Sequence, residues 1–316
     1  MRPVQSYSAI MEFLWFFFGK TFLPVLVPIL VYQLYKGRKI PRKKLCGKVV
    51  LITGASSGLG EAIAQLFYLA GCKVILASRR VKELEKVKSK LMSLKPDAVY
   101  IPKILQLDLL DVDSLSMKAS EAESMFGQVD ILVNNGGVSF RGDILNTSMD
   151  VHINVMTVNY FGPLALTKAL LPGMIKRGEG HIIGISSVQG QIAIPHRSAY
   201  ASSKHAFQAF LDCLRSEVAH KNILVTVVSP GYINTSLSKN ALTESGSTYG
   251  VTDPTTASGY EPKYVAEKVL LAVSQENPEI IVSTLGPKIA IILRVLCPKL
   301  YFHIMKNRAK KYQFTY

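Results

Sequence analysis

The chain predicts an α/β fold with a doubly wound, mostly parallel sheet in a single domain, and three observations carry that prediction. Short apolar runs bounded by turn-forming residues recur at 49–52, 73–78, 103–108, 130–134, 181–187, 223–229 and 279–283. Longer stretches with helical spacing lie between them, at 61–70, 81–91, 113–126, 155–176, 199–219 and 262–273. A glycine-rich turn joins the first run to the first helical stretch. Alternation of this kind implies right-handed crossovers and a ligand at the carboxyl ends of the strands.

The first strand leads into Thr53-Gly54-Ala55-Ser56-Ser57-Gly58-Leu59-Gly60. Gly54 permits a tight turn, Gly58 lets the backbone approach a pyrophosphate, and Gly60 lets the helix pack closely with its amino end facing the anion. A Rossmann-like dinucleotide site is therefore expected, with Gly54, Ser56, Ser57, Gly58, Leu59 and Gly60 in contact with the cofactor. The second strand ends at Ser78-Arg79-Arg80, where an NAD-preferring site would carry a carboxylate against the ribose hydroxyls. A guanidinium there can hold a 2′-phosphate through paired hydrogen bonds, so NADP(H) is the expected cofactor, with Arg79 the favoured contact and Arg80 beside it. Asp108 closes the third strand and is expected at the adenine ring. Asn134-Asn135-Gly136-Gly137 closes the fourth, bringing Asn135 and Gly136 beside the nucleotide.

The fifth strand ends at Ser187, and the helix after it opens with Tyr200-Ala201-Ser202-Ser203-Lys204. This spacing puts a phenol and an ammonium on one helix face. A nearby cation favours phenolate and brings the tyrosine down from about 10, making a usable general acid/base. Spacing alone is weak, because Tyr32 with Lys36 and Tyr35 with Lys39 share it. What separates Tyr200 is a serine thirteen residues earlier, whereas Gly19 and Phe22 hold the equivalent positions for the other two pairs. After the sixth strand comes Pro230-Gly231, and then residues 237–259, a polar stretch without periodicity that is expected to be a mobile substrate lid.

The formal charge of +15 is not spread evenly. Residues 1–46 hold eight Lys/Arg against one acid, and residues 288–316 hold seven and no acid, which leaves the middle near neutral. Both ends are also apolar, which points to anionic lipid rather than nucleic acid. Residues 13–35 form a 23-residue apolar stretch whose one charge is Lys20, long enough at about 1.5 Å per residue for a signal anchor. Pro24, Pro28 and Lys20 weaken the spanning reading and keep an interfacial or hairpin attachment open. Six Lys/Arg between Lys36 and Lys44 put the following domain in the cytosol. Residues 288–316 read as a basic amphipathic, membrane-associated tail, or else as a terminal helix packed on the core. The expected organisation is an anchor and basic flank at 1–46, a dinucleotide-binding domain at 47–287, and the tail. Cys46, Cys72, Cys213 and Cys297 are scattered, and His181, His196 and His205 form no ligand spacing, so no disulfide and no metal is expected.

From about residue 45 to 285 the chain resembles the short-chain dehydrogenases/reductases. The glycine loop, Asn134-Asn135-Gly136-Gly137, Asn159, Ser187, Tyr200, Lys204 and Pro230-Gly231 stand in that family's order and spacing. The resemblance implies that Tyr200 is the proton donor and acceptor, that Lys204 lowers its pKa and binds the nicotinamide ribose, and that Ser187 holds the substrate oxygen. It also implies that Asn159 anchors a water linking Lys204 to solvent, and that Ile233 and Thr235 meet the nicotinamide end. Gly136 departs from the alanine more common in the family.

Longer strings, such as Asn159-Tyr-Phe-Gly-Pro and Ile194-Pro-His-Arg-Ser-Ala-Tyr200, look like the family's membrane-anchored member 7B branch. This implies an endoplasmic-reticulum or peroxisomal membrane enzyme, with helices around Asn159 and Tyr200 that would allow a homodimer. The expected activity is NADP(H)-dependent interconversion of a ketone or aldehyde and an alcohol on a lipophilic substrate. The alternatives are an acyl- or alkyl-dihydroxyacetone-phosphate reductase, a steroid or retinoid dehydrogenase, and a non-catalytic NADP(H)-binding interaction protein.

Overall fold

The computed structural model describes residues 45–312, together with Phe16 and Pro28. Among these residues lies one seven-stranded sheet built from β1 (Val49–Thr53), β2 (Lys73–Ser78), β3 (Lys103–Gln106), β4 (Ile131–Asn134), β5 (Gly180–Ile185), β6 (Ile223–Pro230) and β7 (Glu279–Val282). The strands run in the order β3-β2-β1-β4-β5-β6-β7, and every pair is parallel. The order reverses between β1 and β4, where Leu51 stands opposite both Ile75 and Leu132. A crevice at the carboxyl ends of the strands follows from that reversal.

Helices α1 (Gly58–Leu69), α2 (Val81–Leu94), α3 (Leu115–Phe126), α4 (Met149–Met156), α5 (Gly162–Arg177), α6 (Ser198–Val218), α7 (Pro254–Ala257), α8 (Pro262–Ser274), α9 (Leu285–Leu296) and α10 (Pro298–Tyr312) complete the described chain. One face of the sheet is covered by α1, α2 and α8 through Ile63, Phe67, Leu84, Val265 and Val269. The other is covered by α3, α5 and α6 through Ala119, Leu166, Leu170, Phe207 and Leu211. Burial on both faces is why β1, β4 and β5 read as unbroken apolar runs. Gly127 and Gly178 end α3 and α5 in the left-handed region, which a side chain would disfavour. The helix expected from residue 155 begins earlier, at Met149, and a π-turn over Thr157–Phe161 interrupts it. That wider turn carries Asn159, and π-turns inside helices often mark functional positions.

His181 is buried at the start of β5, with its Nε2 2.9 Å from Thr226 Oγ1. Burial pushes its imidazole down to about 4, partly opposed by Glu276. The unfolded chain would take up that proton near pH 6.5. The stabilising contribution is therefore complete above about pH 6.5 and is lost as the pH falls towards the folded value, with a ceiling on the order of 3 kcal/mol. Denaturant unfolding of the protein is expected to show this decline between those limits, and His181→Gln is expected to flatten it.

The membrane readings require correction. Among the described residues, no helix is long and apolar enough to cross a membrane. At 12 residues α9 reaches only about 18 Å, against about 30 Å of hydrocarbon. The anchor expected over 13–35 lies outside the described residues apart from Phe16 and Pro28. As far as residue 312 the basic tail is two helices separated at Cys297, and the second of them touches the domain through Tyr301 and Arg308. Tyr301 is buried and donates its hydroxyl hydrogen to Ala193 O, while Arg308 Nη2 donates to the Tyr232 hydroxyl at 3.2 Å. A single-pass enzyme of the endoplasmic-reticulum or peroxisomal membrane, and the membrane as a partner, are accordingly withdrawn.

Candidate active site

The turn leaving β1 is shaped by backbone that only glycine tolerates well. Gly54 and Gly58 have φ of +66° and +60°. A Cβ on Gly60 would lie 2.3 Å from Gly54 O and 2.6 Å from Asn135 Nδ2, so α1 can start this close to the strand only without a side chain there. Thr53 Oγ1 accepts from the backbone N–H groups of Asn135 and Gly136 at 3.0 and 2.9 Å, and Asn135 Nδ2 donates to Thr53 O at 2.9 Å. These bonds lock the exits of β1 and β4 together at the point where the strand order reverses. At Gly136, a Cβ would stand 2.8 Å from Leu109 Cδ1, so an alanine there would require that leucine side chain to shift.

This cradle fits a dinucleotide pyrophosphate. The amino end of the 12-residue α1 opens behind Ser57, whose side chain makes no capping bond to the helix. Thr235 closes the same corner from beyond β6, its Cγ2 lying 3.2 Å from where a Gly58 Cβ would be. Gly60→Ala is expected to destabilise the fold by about 1–3 kcal/mol through overpacking. It is also expected to weaken dinucleotide binding at least tenfold, read by thermal unfolding and fluorescence titration. Wild-type affinity in that variant would contradict the close-approach argument.

Past β2, the two arginines differ. Arg80 Nη2 donates to Ser56 Oγ at 2.9 Å and to Ser57 Oγ at 2.8 Å, which lays its guanidinium across the glycine loop. Both arginines are exposed, and Arg79 has no such bond to the loop. Asp108 is half-buried beyond β3, where its carboxylate accepts from Leu110 N at 3.0 Å. Gly231 donates its N–H to Val282 O at 3.0 Å, holding Pro230-Gly231 at the end of β6, and Ile233 bridges to Tyr260. Leu59 is buried under the first turn of α1.

A second group converges at the end of β5. Ser187 turns out of the strand, its Oγ accepting from Gln189 N at 3.1 Å, and its hydroxyl favours the ionised form of Tyr200. Tyr200 and Lys204, buried on the same face of α6, lie in that helix's first two turns. Lys204 Nζ donates to Ile185 O at 2.9 Å and stands 5.9 Å from the Tyr200 ring centroid. Asn159 ties this group to the exit of β4. Its Oδ1 accepts from Val138 N at 2.8 Å, while its Nδ2 donates to Val138 O and Ser203 Oγ, both at 2.9 Å. Ser203 Oγ in turn donates to Tyr200 O at 2.8 Å. Around the phenol lies an apolar wall of Phe140, Val151, Val155 and Ala199, with Val138 and Leu242 packed against it.

Electrostatically, burial decides more than spacing does. It pushes Lys204 down to about 8. It also holds the Tyr200 phenol above its ordinary value, opposed by the Ser187 hydrogen bond and the charge of Arg141, with Tyr232 adding to the rise. Burial outweighs the influences that lower the phenol. Besides Lys204, a second cation acts on Tyr200: Arg141, which the sequence reading passed over. Its signal was an arginine directly after the apolar Val138-Ser-Phe140.

The stretch 237–259, expected to be a mobile lid, is stitched to that arginine's segment. Leu242 N donates to Ser139 O, and Arg141 N donates to Leu242 O.

Known proteins give the same picture. The profile of the short chain dehydrogenase family matches residues 48–246. A Drosophila melanogaster protein, "Dehydrogenase/reductase SDR family protein 7-like", is 55% identical over 301 residues, covering 94% of this chain and 92% of that protein. A Mus musculus protein, "Dehydrogenase/reductase SDR family member 7B", is 46% identical over 294 residues, covering 92% and 91%. Among solved structures, a metagenomic short-chain oxidoreductase in complex with NADP superposes with a TM-score of 0.62 at 26% identity, covering 75% of this chain and 97% of that one.

Proposed function

The chain belongs to the short chain dehydrogenase family and is an enzyme acting on CH–OH groups with a dinucleotide cofactor; on that premise we propose that it interconverts a carbonyl and an alcohol on a lipophilic small molecule, using NADP(H). The observation that carries this reading is the joint burial of Ser187, Tyr200, Lys204 and Asn159 at the same sheet end as the glycine loop. When bound, the dinucleotide supplies or accepts the hydride; the protein's residues orient the substrate and move the proton. Gly54, Ser56, Ser57, Gly58, Leu59 and Gly60 form the cradle for its pyrophosphate, with Thr235 closing over the turn. Arg80 and Arg79 face the position of a 2′-phosphate, and Asp108, Asn135, Gly136, Pro230, Gly231 and Ile233 border the remainder.

In the reducing direction, the Ser187 and Tyr200 hydroxyls hold the substrate oxygen between them. Tyr200 gives its proton to that oxygen as negative charge develops there. A phenol held above its ordinary value is a ready donor only if the resulting phenolate is stabilised, and the surrounding cations do this. Lys204, brought to about 8, can exchange a proton near neutral pH and so reload the tyrosine. Asn159 fixes the spacing between the β4 exit and α6, keeping Lys204 and Tyr200 in register. The apolar cluster of Phe140, Val151, Val155 and Ala199 holds the Tyr200 ring in place.

The test is NADPH oxidation by the purified full chain across a panel of lipophilic ketones and aldehydes, with NADH in parallel. Turnover with NADPH exceeding that with NADH is expected. Protein that binds NADPH yet reduces no carbonyl in the panel would sink the proposal.

A further inference from the structure

We propose that Arg141 is a positioning residue for proton transfer at Tyr200, and that Asp253 of the lid stretch clasps it, so that seating the lid also sets the charge at the reaction centre. This rests on the reading of Tyr200 as the proton carrier. Arg141 is almost fully buried. Its Nη1 donates to Ser139 Oγ at 2.8 Å and to Phe140 O at 3.0 Å, and its Nη2 donates to Ser238 Oγ at 3.2 Å. The same Nη2 lies 3.9 Å from Asp253 Oδ2, and that carboxylate oxygen is 3.3 Å from Arg197 Nη2. Arg197 immediately precedes α6, three residues before Tyr200. Segments from the β4 exit, the start of α6 and the lid thus meet on one carboxylate.

Two buried guanidiniums meet on that one carboxylate oxygen. Arg141 Nε, also buried, has no hydrogen-bond partner among the described residues, which a purely structural arginine would not be expected to leave. Phe140, the preceding residue, packs in the same apolar cluster as Tyr200. The groups acting on the Tyr200 hydroxyl are Ser187, Arg141 and Tyr232, with Lys204 below it. Those facing Arg141 are Asp253 and Arg197, with Glu244 of the lid close by, accepting from Asp143 N at 2.8 Å. Lys204 loses its charge within the working pH range, whereas a guanidinium keeps its own. Arg141 is therefore the permanent cation available to a phenolate at Tyr200.

The experiment is the pH profile of kcat in both directions for the full chain and its variants. Removing the charge with Arg141→Gln raises the tyrosine's titration. The fall of carbonyl reduction and the onset of alcohol oxidation should then both move up by about one pH unit. Arg141→Lys, which keeps a cation, should bring both limbs back towards the wild type. Limbs that do not move in Arg141→Gln, or that move alike in both variants, would overturn the proposal. Should Arg141→Gln fail to fold, Asp253→Asn carries the test: removing the shared carboxylate should move the limbs down, and limbs that stay or rise would overturn it. Turnover retained by Tyr200→Phe would instead refute the proton-carrier reading itself, so the two failures are distinguishable.

Discussion

Tyr200→Phe is expected to lower kcat for carbonyl reduction by about 10²–10⁴-fold while leaving the fold and dinucleotide affinity close to wild type. The substitution removes one oxygen. The ring stays in the apolar cluster with Phe140, Val151, Val155 and Ala199, so packing gives little reason for instability. What is lost is the proton donor and one of the two hydroxyls that hold the substrate oxygen. Ser187 keeps its bond from Gln189 N, so the turn after β5 retains its shape. Loss in kcat with little change in KM is therefore the expected signature, because the missing interaction strengthens only as the proton transfers. Steady-state kinetics together with NADPH titration read both quantities. Activity above a tenth of wild type, with NADPH still bound, would exclude Tyr200 as the proton carrier.

How much was legible in the sequence depended on whether the deciding interaction was local. The seven strands were readable because helices on both sheet faces demand continuous apolar runs, as in Val49–Thr53 and Gly180–Ile185. Gly54, Gly58 and Gly60 were readable because backbone geometry within a few residues requires them. The start of α4 was hidden because Asp150, His152 and Asn154 interrupt its apolar face. Arg141 could not be found by spacing, since its partner Ser238 lies 97 residues away and burial, not periodicity, gives the charge its effect.

The tail shows the same limit from another side. The spacing of apolar residues beside lysines does not say which of them the domain will bury, and here Tyr301 is inserted against Ala193 while Ile289, Ile292, Val295 and Leu296 stay exposed. The environment of Tyr200 is hidden for a related reason: the Tyr-Lys spacing is local, but the desolvation that raises the phenol comes from the assembled fold.

Arg80→Glu is expected to lower the ratio of kcat/KM with NADPH to that with NADH by about 100-fold, since charge-assisted hydrogen bonds contribute roughly 1.5–3 kcal/mol and about 1.4 kcal/mol is tenfold. The geometry favours Arg80 over the Arg79 preferred from sequence. The Arg80 guanidinium already lies across the loop on Ser56 and Ser57, so holding it in place costs little further side-chain entropy when an anion arrives. Arg79, exposed like Arg80 but without its bonds to the loop, would have to be ordered for the same contact. Arg79→Glu should therefore change the ratio less than Arg80→Glu. Because both variants alter net charge equally, a general electrostatic effect on cofactor approach would lower the two ratios alike. An unchanged ratio in Arg80→Glu would show that the 2′-phosphate is not held there, whereas a larger effect at Arg79 would return the contact to that residue.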